Sequence, residues 1–176
     1  GRKKKQRRDA LVLACWQRGL QREKELKEAA AAVSAADPPD DQQAMSALDG
    51  DWDGLLLSLR RPGRCEATLL TILKRALEGH KRTNCVTGVL FPRALQAARD
   101  RDALVRSGEP FCGPLHGLPV SVKESYEVEG QDTTVGLGKL CGVPCAATEA
   151  VIGALEAAGA LVCLRTNLPQ TMLSYG

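Results

Sequence analysis

The chain has 176 residues, of which 44% are hydrophobic, so it is long enough to bury the core of about one domain. Only 3% of the residues are aromatic, and because single-stranded nucleic acid is held by aromatic stacking, we exclude nucleic acid as a partner. The formal net charge is +3, and six of residues 2–8 are basic, so the remainder of the chain is close to neutral.

The first part of the chain is predicted to be helical. Residues 9–36 are rich in strong helix formers, and Glu23 and Lys27 are spaced to pair along one helix. Two prolines in the segment 37–41 end this helix and indicate a linker. We therefore predict a basic, helical N-terminal region over residues 1–50 and the main domain over residues 51–176.

Three further helices are predicted before residue 110. A short amphipathic segment over 55–59 ends at the turn that Pro62 and Gly63 introduce. Apolar residues at helical spacing predict a longer helix over 66–80, with Gly79 near its C-terminal cap. Pro92 fits the first turn of another helix, which Gly108 should end.

A strand, a helix and a second strand follow. Val120 and Val122 alternate with polar residues and predict a strand that ends at Lys123. An alanine-rich helix over 147–158 is followed by an apolar strand over 160–164. This order predicts a parallel βαβ unit, and parallel strands are usually buried on both faces. The predicted fold class is α/β: N-terminal helices followed by the first βαβ part of a mixed, mostly parallel sheet, which is incomplete in this fragment.

The seven cysteines are odd in number and lie mostly in apolar contexts, which favours reduced thiols. Cys141 and Cys145 are four residues apart, but the chain has only two histidines, so we expect no metal site. No cofactor is expected either.

His116 lies in a turn and is expected to face solvent.

Lys123 is the candidate for chemistry. An exposed lysine has a pKa near about 10.4, so a lysine that acts as a base near neutrality has to be desolvated. We expect the apolar strand that carries Lys123 to supply these surroundings. On alternation alone, Glu124 should face away from the lysine.

The run 117–124 resembles the glycine, proline and lysine motif of the amidase signature family. The segments 130–136, 158–160 and 165–174 follow in the order that this family shows, and the segments 83–87 and 169–174 narrow the resemblance to the branch that hydrolyses fatty acid amides. The resemblance implies a hydrolase without a cofactor, in which Lys123 draws protons from a serine nucleophile through a bridging serine. Such a relay can also protonate the amine that leaves.

The resemblance also places Met172, Ser174 and Tyr175 at the substrate site, beside the acyl chain. For Met172, the alternative is a core residue at the start of the next element. No Gly-Gly-Ser or Ser-Ser-Gly run is present, so we treat the chain as a fragment that lacks both serines and the oxyanion hole. We expect this chain alone to have no amidase activity and to resist labelling by a fluorophosphonate.

In the family that this chain resembles, a transmembrane helix precedes a basic stretch, to which residues 2–8 would correspond. Basic residues next to such a helix suit the anionic cytoplasmic leaflet of a membrane. We therefore expect an intracellular membrane of the endoplasmic reticulum type, with the catalytic domain facing the cytoplasm and the missing helix and the basic tip at the membrane. The substrate implied is a fatty acid amide, and a homodimer is left open. Two alternatives also stay open: a non-catalytic truncated module that binds a membrane surface or a partner, and another amidase-signature enzyme.

Overall fold

The computed structural model describes residues 2–38 and 50–173. Within these segments the fold is mixed α/β, as the sequence predicted. The helices are α1 (Arg2–Ala36), α2 (Trp52–Ser58), α3 (Arg64–Thr83), α4 (Phe91–Ser107) and α5 (Ala150–Ala157). The strands are β1 (Val86–Val89), β2 (Pro119–Lys123) and β3 (Leu161–Thr166), and two short 3-10 turns lie at Gly138–Leu140 and Gln170–Met172.

The three strands form one sheet in the order β1-β3-β2. Strand β2 runs parallel to β3, which confirms the predicted βαβ pairing, and β1 adds to the other side of β3 in the antiparallel sense. Strand β1 was not predicted, because four residues carry too little alternation to be recognised. The sheet is therefore mixed, with β3 at its centre.

Strand β3 is apolar because both of its faces are covered. Residues 161–165 are all buried. On one face, Leu161 and Cys163 of β3 belong to a buried apolar cluster that includes residues of α1, α3 and α4. On the other face, Val162 packs with Val122 and with Ile152 of α5. A continuous apolar run is typical of such a central strand.

Helix α1 protects the outer edge of β1. Arg18 donates from Nη2 to the carbonyl oxygen of Thr87 at 2.8 Å, and Glu25 accepts from the Val89 amide at 3.4 Å. The edge strand of a sheet exposes backbone amides and carbonyls that have no strand partner. Arg18 and Glu25 of α1 therefore supply hydrogen bonds that a neighbouring strand would otherwise make. Helix α1 begins at Arg2, seven residues before the predicted start at residue 9. Most of the predicted linker over residues 37–41 lies outside the described residues.

The sequence predicted that this helix ends at residue 80 with Gly79 near its cap, but helix α3 continues to Thr83. Its C-terminal cap is Asn84, which has a φ of +51° and donates from its backbone to the His80 carbonyl at 2.7 Å. Asparagine tolerates the left-handed conformation better than most residues, so it can replace the expected glycine.

Helix α5 begins at Ala150, three residues after the predicted start. The preceding residues are extended because they pair with the segment 127–129. The Thr148 hydroxyl accepts from the Glu129 amide at 3.1 Å, and the Glu149 carboxylate accepts from the Glu127 amide at 3.3 Å. These contacts compete with the first helical turn.

The expectation that His116 faces solvent is wrong, because His116 is only 2% exposed. Its Nδ1 accepts from the Cys112 amide at 3.2 Å.

The seven cysteines are free, and burial raises the pKa values of Cys65 and Cys163 to about 12 each.

Candidate functional site

Lys123 ends β2 and is paired with Thr166 of β3. Its Nζ donates a hydrogen bond to the carbonyl oxygen of Asn167 at 3.2 Å. Asn167 is held in turn by its own amide, which donates to the Cys85 carbonyl at 2.8 Å. The lysine amine therefore lies at the carboxyl ends of β2 and β3, against a backbone group that the sheet holds in place.

The expected dry surroundings of Lys123 are not provided by the described residues, because its side chain is exposed. The physical reason is the alternation of the strand. Val122 is buried, but neighbouring side chains of a strand point to opposite faces, so the valines cannot cover the lysine.

Glu124 is buried, with only 5% of its surface exposed, a state that the sequence analysis did not predict. Its two carboxylate oxygens accept hydrogen bonds from the Thr134 amide at 2.5 Å and the Val135 amide at 2.9 Å. Val135 has a φ of +43° and Gly136 a φ of +73°. The Glu124 carboxylate therefore stabilises a turn at Val135 and Gly136 whose positive φ angles are unfavourable for most residues.

Arg165 of β3 also holds the loop over residues 124–136, which follows Lys123. It is fully buried, and its guanidinium donates to the carbonyl oxygens of Asp132 at 2.8 Å, Glu124 at 2.7 Å and Tyr126 at 3.2 Å. A further bond joins it to the Thr133 hydroxyl at 3.0 Å. Burial lowers the pKa of Arg165, and nearby Glu124 acts in the opposite direction. A guanidinium remains charged in proteins, so this loop is built around a buried cation.

Asp132 connects the loop to α1. Its Oδ1 accepts from Nε of Arg18 at 2.7 Å, and its Oδ2 accepts from the Gly142 amide at 3.0 Å. Both side chains of this ion pair are largely buried. The N-terminal helix is therefore fastened to the segment that follows the candidate lysine.

Of the predicted substrate residues, only Met172 is described. It is 61% exposed within the described segments. The nearby Thr171 amide donates to the Val135 carbonyl at 2.8 Å, which joins the Gln170–Met172 turn to the loop that Glu124 supports. Ser174 and Tyr175 lie outside the described residues.

The sequence interpretation did not identify Arg165, Asp132 or Arg18 as parts of this site. A charged residue directly after the apolar run 161–164 was the available signal for Arg165. Asp132 lies in the segment 130–136 that carries the family resemblance, but no local signal marked its pairing with Arg18, since the two residues are 114 positions apart in the chain. Within the described segments, no three His, Cys, Asp or Glu side chains are grouped to hold a metal ion.

Comparison with known proteins shows the family. A family model described as Amidase matches residues 67–176, which include Lys123 and the whole of the loop that follows it. The chain belongs to the amidase family. Every element from α4 to β3 lies within the matched part of the chain, so the lysine, its backbone partner and the buried Glu124 and Arg165 all belong to the family region.

Two curated relatives and one solved structure illustrate what the chain is similar to. Amidase 1 from Gibberella moniliformis is 36% identical over 135 residues, which are 77% of this chain and 26% of the relative. Fatty-acid amide hydrolase 1 from Sus scrofa is 36% identical over 110 residues, which are 62% of this chain and 17% of the relative. A solved structure of a fatty acid amide hydrolase superposes with a TM-score of 0.58 at 28% identity, over 62% of this chain and 19% of that one. The chain spans about a quarter or less of the length of these proteins.

Proposed function

We propose that this chain forms part of an enzyme that hydrolyses amides, with Lys123 as the base that takes the proton from a serine nucleophile. The observation that carries the proposal is the position of Lys123 within the family match, at the end of β2 and hydrogen-bonded to Asn167. General acid–base catalysis requires a proton acceptor within reach of the nucleophile. Desolvation of the exposed amine would then come from substrate and from groups other than the strand valines.

The test is hydrolysis of a primary amide by the full-length protein, measured as ammonia release. We expect Lys123→Ala to reduce kcat by about a hundredfold or more, the contribution of a well-placed acid–base group. The matched control is Lys81→Ala, which removes an exposed lysine on α3. Circular dichroism establishes that both variants are folded, and turnover by Lys123→Ala at the control's rate would contradict the proposal.

Within the amidases, we propose fatty acid amides as the substrates, namely N-acylethanolamines and primary fatty amides. The similarity to fatty-acid amide hydrolase 1 supports this choice, and Met172 supplies a flexible apolar side chain near the loop. The competing function is that of a general amidase, which the similarity to Amidase 1 favours. A series of amides from acetamide to a long-chain amide separates the two: kcat/KM should rise with acyl length, and a maximum at acetamide would exclude the fatty amide.

We also propose that the parent protein lies at an intracellular membrane with its catalytic domain facing the cytoplasm. The basic residues of the first two turns of α1 are exposed, as are Val12, Leu13 and Trp16 on the following turns. No helix within the described segments is both long and apolar enough to cross a bilayer. Basic turns next to exposed apolar side chains suit an anionic lipid surface. Sedimentation with phosphatidylserine vesicles should decrease when residues 2–5 are changed to glutamine, and sedimentation that is unaffected would contradict this assignment.

A further inference from the structure

A cavity of about 300 Å³ lies between α1 and the end of the sheet where β2 and β3 finish and β1 begins. Arg18 and Arg22 of α1 line one side, and Thr87 of β1 and Asn167 line the other. Asn167 is also the residue whose carbonyl accepts from Lys123. The cavity therefore opens beside the candidate base, and its volume is at the lower end of the range for small-molecule sites.

Three buried polar atoms of the lining have no hydrogen-bond partner within residues 2–38 and 50–173. They are Nη1 of Arg18, Nε of Arg22 and the hydroxyl oxygen of Thr87. The two arginines are four residues apart, so they project from the same face of the helix. Buried donors are normally paired, and unpaired donors from two elements that line one cavity indicate a ligand with acceptor atoms.

The charges favour an anion. The remaining guanidinium nitrogens of Arg18 are already engaged, since Nε pairs with Asp132 and Nη2 with the Thr87 carbonyl. Arg22 makes no ion pair with any described carboxylate and leaves one positive charge uncompensated. Glu124 also lines the cavity, but the buried guanidinium of Arg165 opposes its charge, and its two oxygens already accept from backbone amides.

We propose that this cavity binds the carboxylate of an organic acid, with Arg22 and the free Nη1 of Arg18 as the charged donors and Thr87 as a neutral one. A planar guanidinium suits the two oxygens of a carboxylate. The proposal rests on the proposed function in one respect: an amide hydrolase releases a carboxylic acid, so the ligand would be its own acid product, held beside the base. Retention of the acid here would make the enzyme sensitive to product inhibition.

The test is calorimetric titration of the full-length protein with octanoate, which does not depend on turnover. Arg22→Gln should weaken octanoate binding by about tenfold or more, the effect of losing a charged hydrogen bond, and Thr87→Val should weaken it less. Arg18 is left unchanged, because its other nitrogens hold Asp132 and β1. The matched control is Lys27→Gln, which removes an exposed cation of the same helix and should leave binding unaltered.

The outcomes separate this site from the proposed function. Octanoate binding that Arg22→Gln does not weaken overturns the site, even if the protein hydrolyses amides. Binding that depends on Arg22 supports the site, even if no amide is hydrolysed. Octan-1-ol lacks the charge and should not bind at this site, and equal Arg22-dependent binding of the alcohol would overturn the carboxylate assignment. Inorganic phosphate that binds more tightly than octanoate would overturn it too.

Discussion

Arg165 donates a hydrogen bond from Nη2 to the carbonyl oxygen of Glu124 at 2.7 Å, so a buried cation of β3 holds the backbone of a buried anion that follows β2. The two side chains bind different parts of the loop that follows Glu124. Arg165 binds residues 126, 132 and 133, and Glu124 binds residues 134 and 135. The loop beside Lys123 is therefore organised from inside the protein, and its stability should depend on both charges.

Arg165→Met tests this dependence. The substitution keeps an unbranched apolar side chain but leaves three carbonyl groups without their donor, two of them in buried hydrogen bonds, and unsatisfied buried groups are costly. We expect the free energy of unfolding to fall by about 3 kcal/mol or more, the range for breaking a buried charged network. Urea-induced unfolding measures the loss. Arg75→Met, at an exposed position of α3, is the control, and equal losses for the two variants would refute the role of Arg165.

Asp102 of α4 is predicted to stabilise the beginning of α3. It is 2% exposed, and its two oxygens accept from the Cys65 and Glu66 amides at 3.0 Å each. These amides belong to the first turn of α3, whose own preceding residue, Gly63, has no side chain to cap them. Asp102→Ala should lower the free energy of unfolding by about 2 kcal/mol, since it removes a cap and a favourable charge at a helix N-terminus.

Asp100→Ala is the control for Asp102, because Asp100 lies on the same helix and is exposed. Its effect should stay within about 0.5 kcal/mol. Denaturant titration of both variants gives the comparison. If the loss for Asp102→Ala is as small as that for Asp100→Ala, the α3 amides do not depend on this carboxylate.

Gly159 lies where the loop before β3 meets the turn around His116. Its φ is +101°, and a Cβ atom there would lie 2.8 Å from Cα and 2.9 Å from the amide nitrogen of His116. Backbone atoms cannot move aside cheaply, so Gly159→Ala should cost at least about 2 kcal/mol through overpacking and strain. Gly153→Ala is the opposite case, because Gly153 lies within α5 with no atom within 4 Å of the added methyl group.

We expect Gly153→Ala to be neutral or to stabilise the protein by up to about 1 kcal/mol through helix propensity. Thermal unfolding should therefore move to lower temperature for Gly159→Ala and should stay or rise for Gly153→Ala. A midpoint for Gly159→Ala at or above that of the unsubstituted protein would show that the two loops are not in close contact.

His116 should make the protein sensitive to acid. Burial lowers the pKa of His116 below its ordinary value of 6.5. Below pH 6.5 the unfolded chain therefore binds a proton that the folded chain does not, and the free energy of unfolding falls as the pH decreases. His80, whose pKa burial also lowers, acts in the same direction. In His116→Asn the amide oxygen can still accept from Cys112, but the titrating group is gone.

Urea-induced unfolding at a series of pH values between about 5 and 7.5 measures the slope that this proton linkage predicts. The slope should be shallower for His116→Asn than for the unsubstituted protein, and the remaining slope includes the contribution of His80. Identical slopes would mean that the imidazole is protonated equally in the folded and unfolded states, which contradicts its burial.

The regular elements other than β1 follow from local patterns in the sequence. Apolar residues at helical spacing predicted α3, and Pro92 with Gly108 predicted the two ends of α4, because these signals depend only on neighbouring residues. The order of strand, helix and apolar strand predicted the parallel pairing of β2 with β3. It also placed Lys123 at the end of a strand.

Only the tertiary structure decided which polar residues are buried and what they bind. Arg165, Glu124 and His116 are buried, whereas Lys123 is exposed, and none of these states follows from local spacing. Each depends on contacts between segments far apart in the chain, such as Arg18 with Asp132 and Asp102 with α3. A local pattern specifies which face of an element is apolar, but the partner of a buried charge is known only when separate elements have packed.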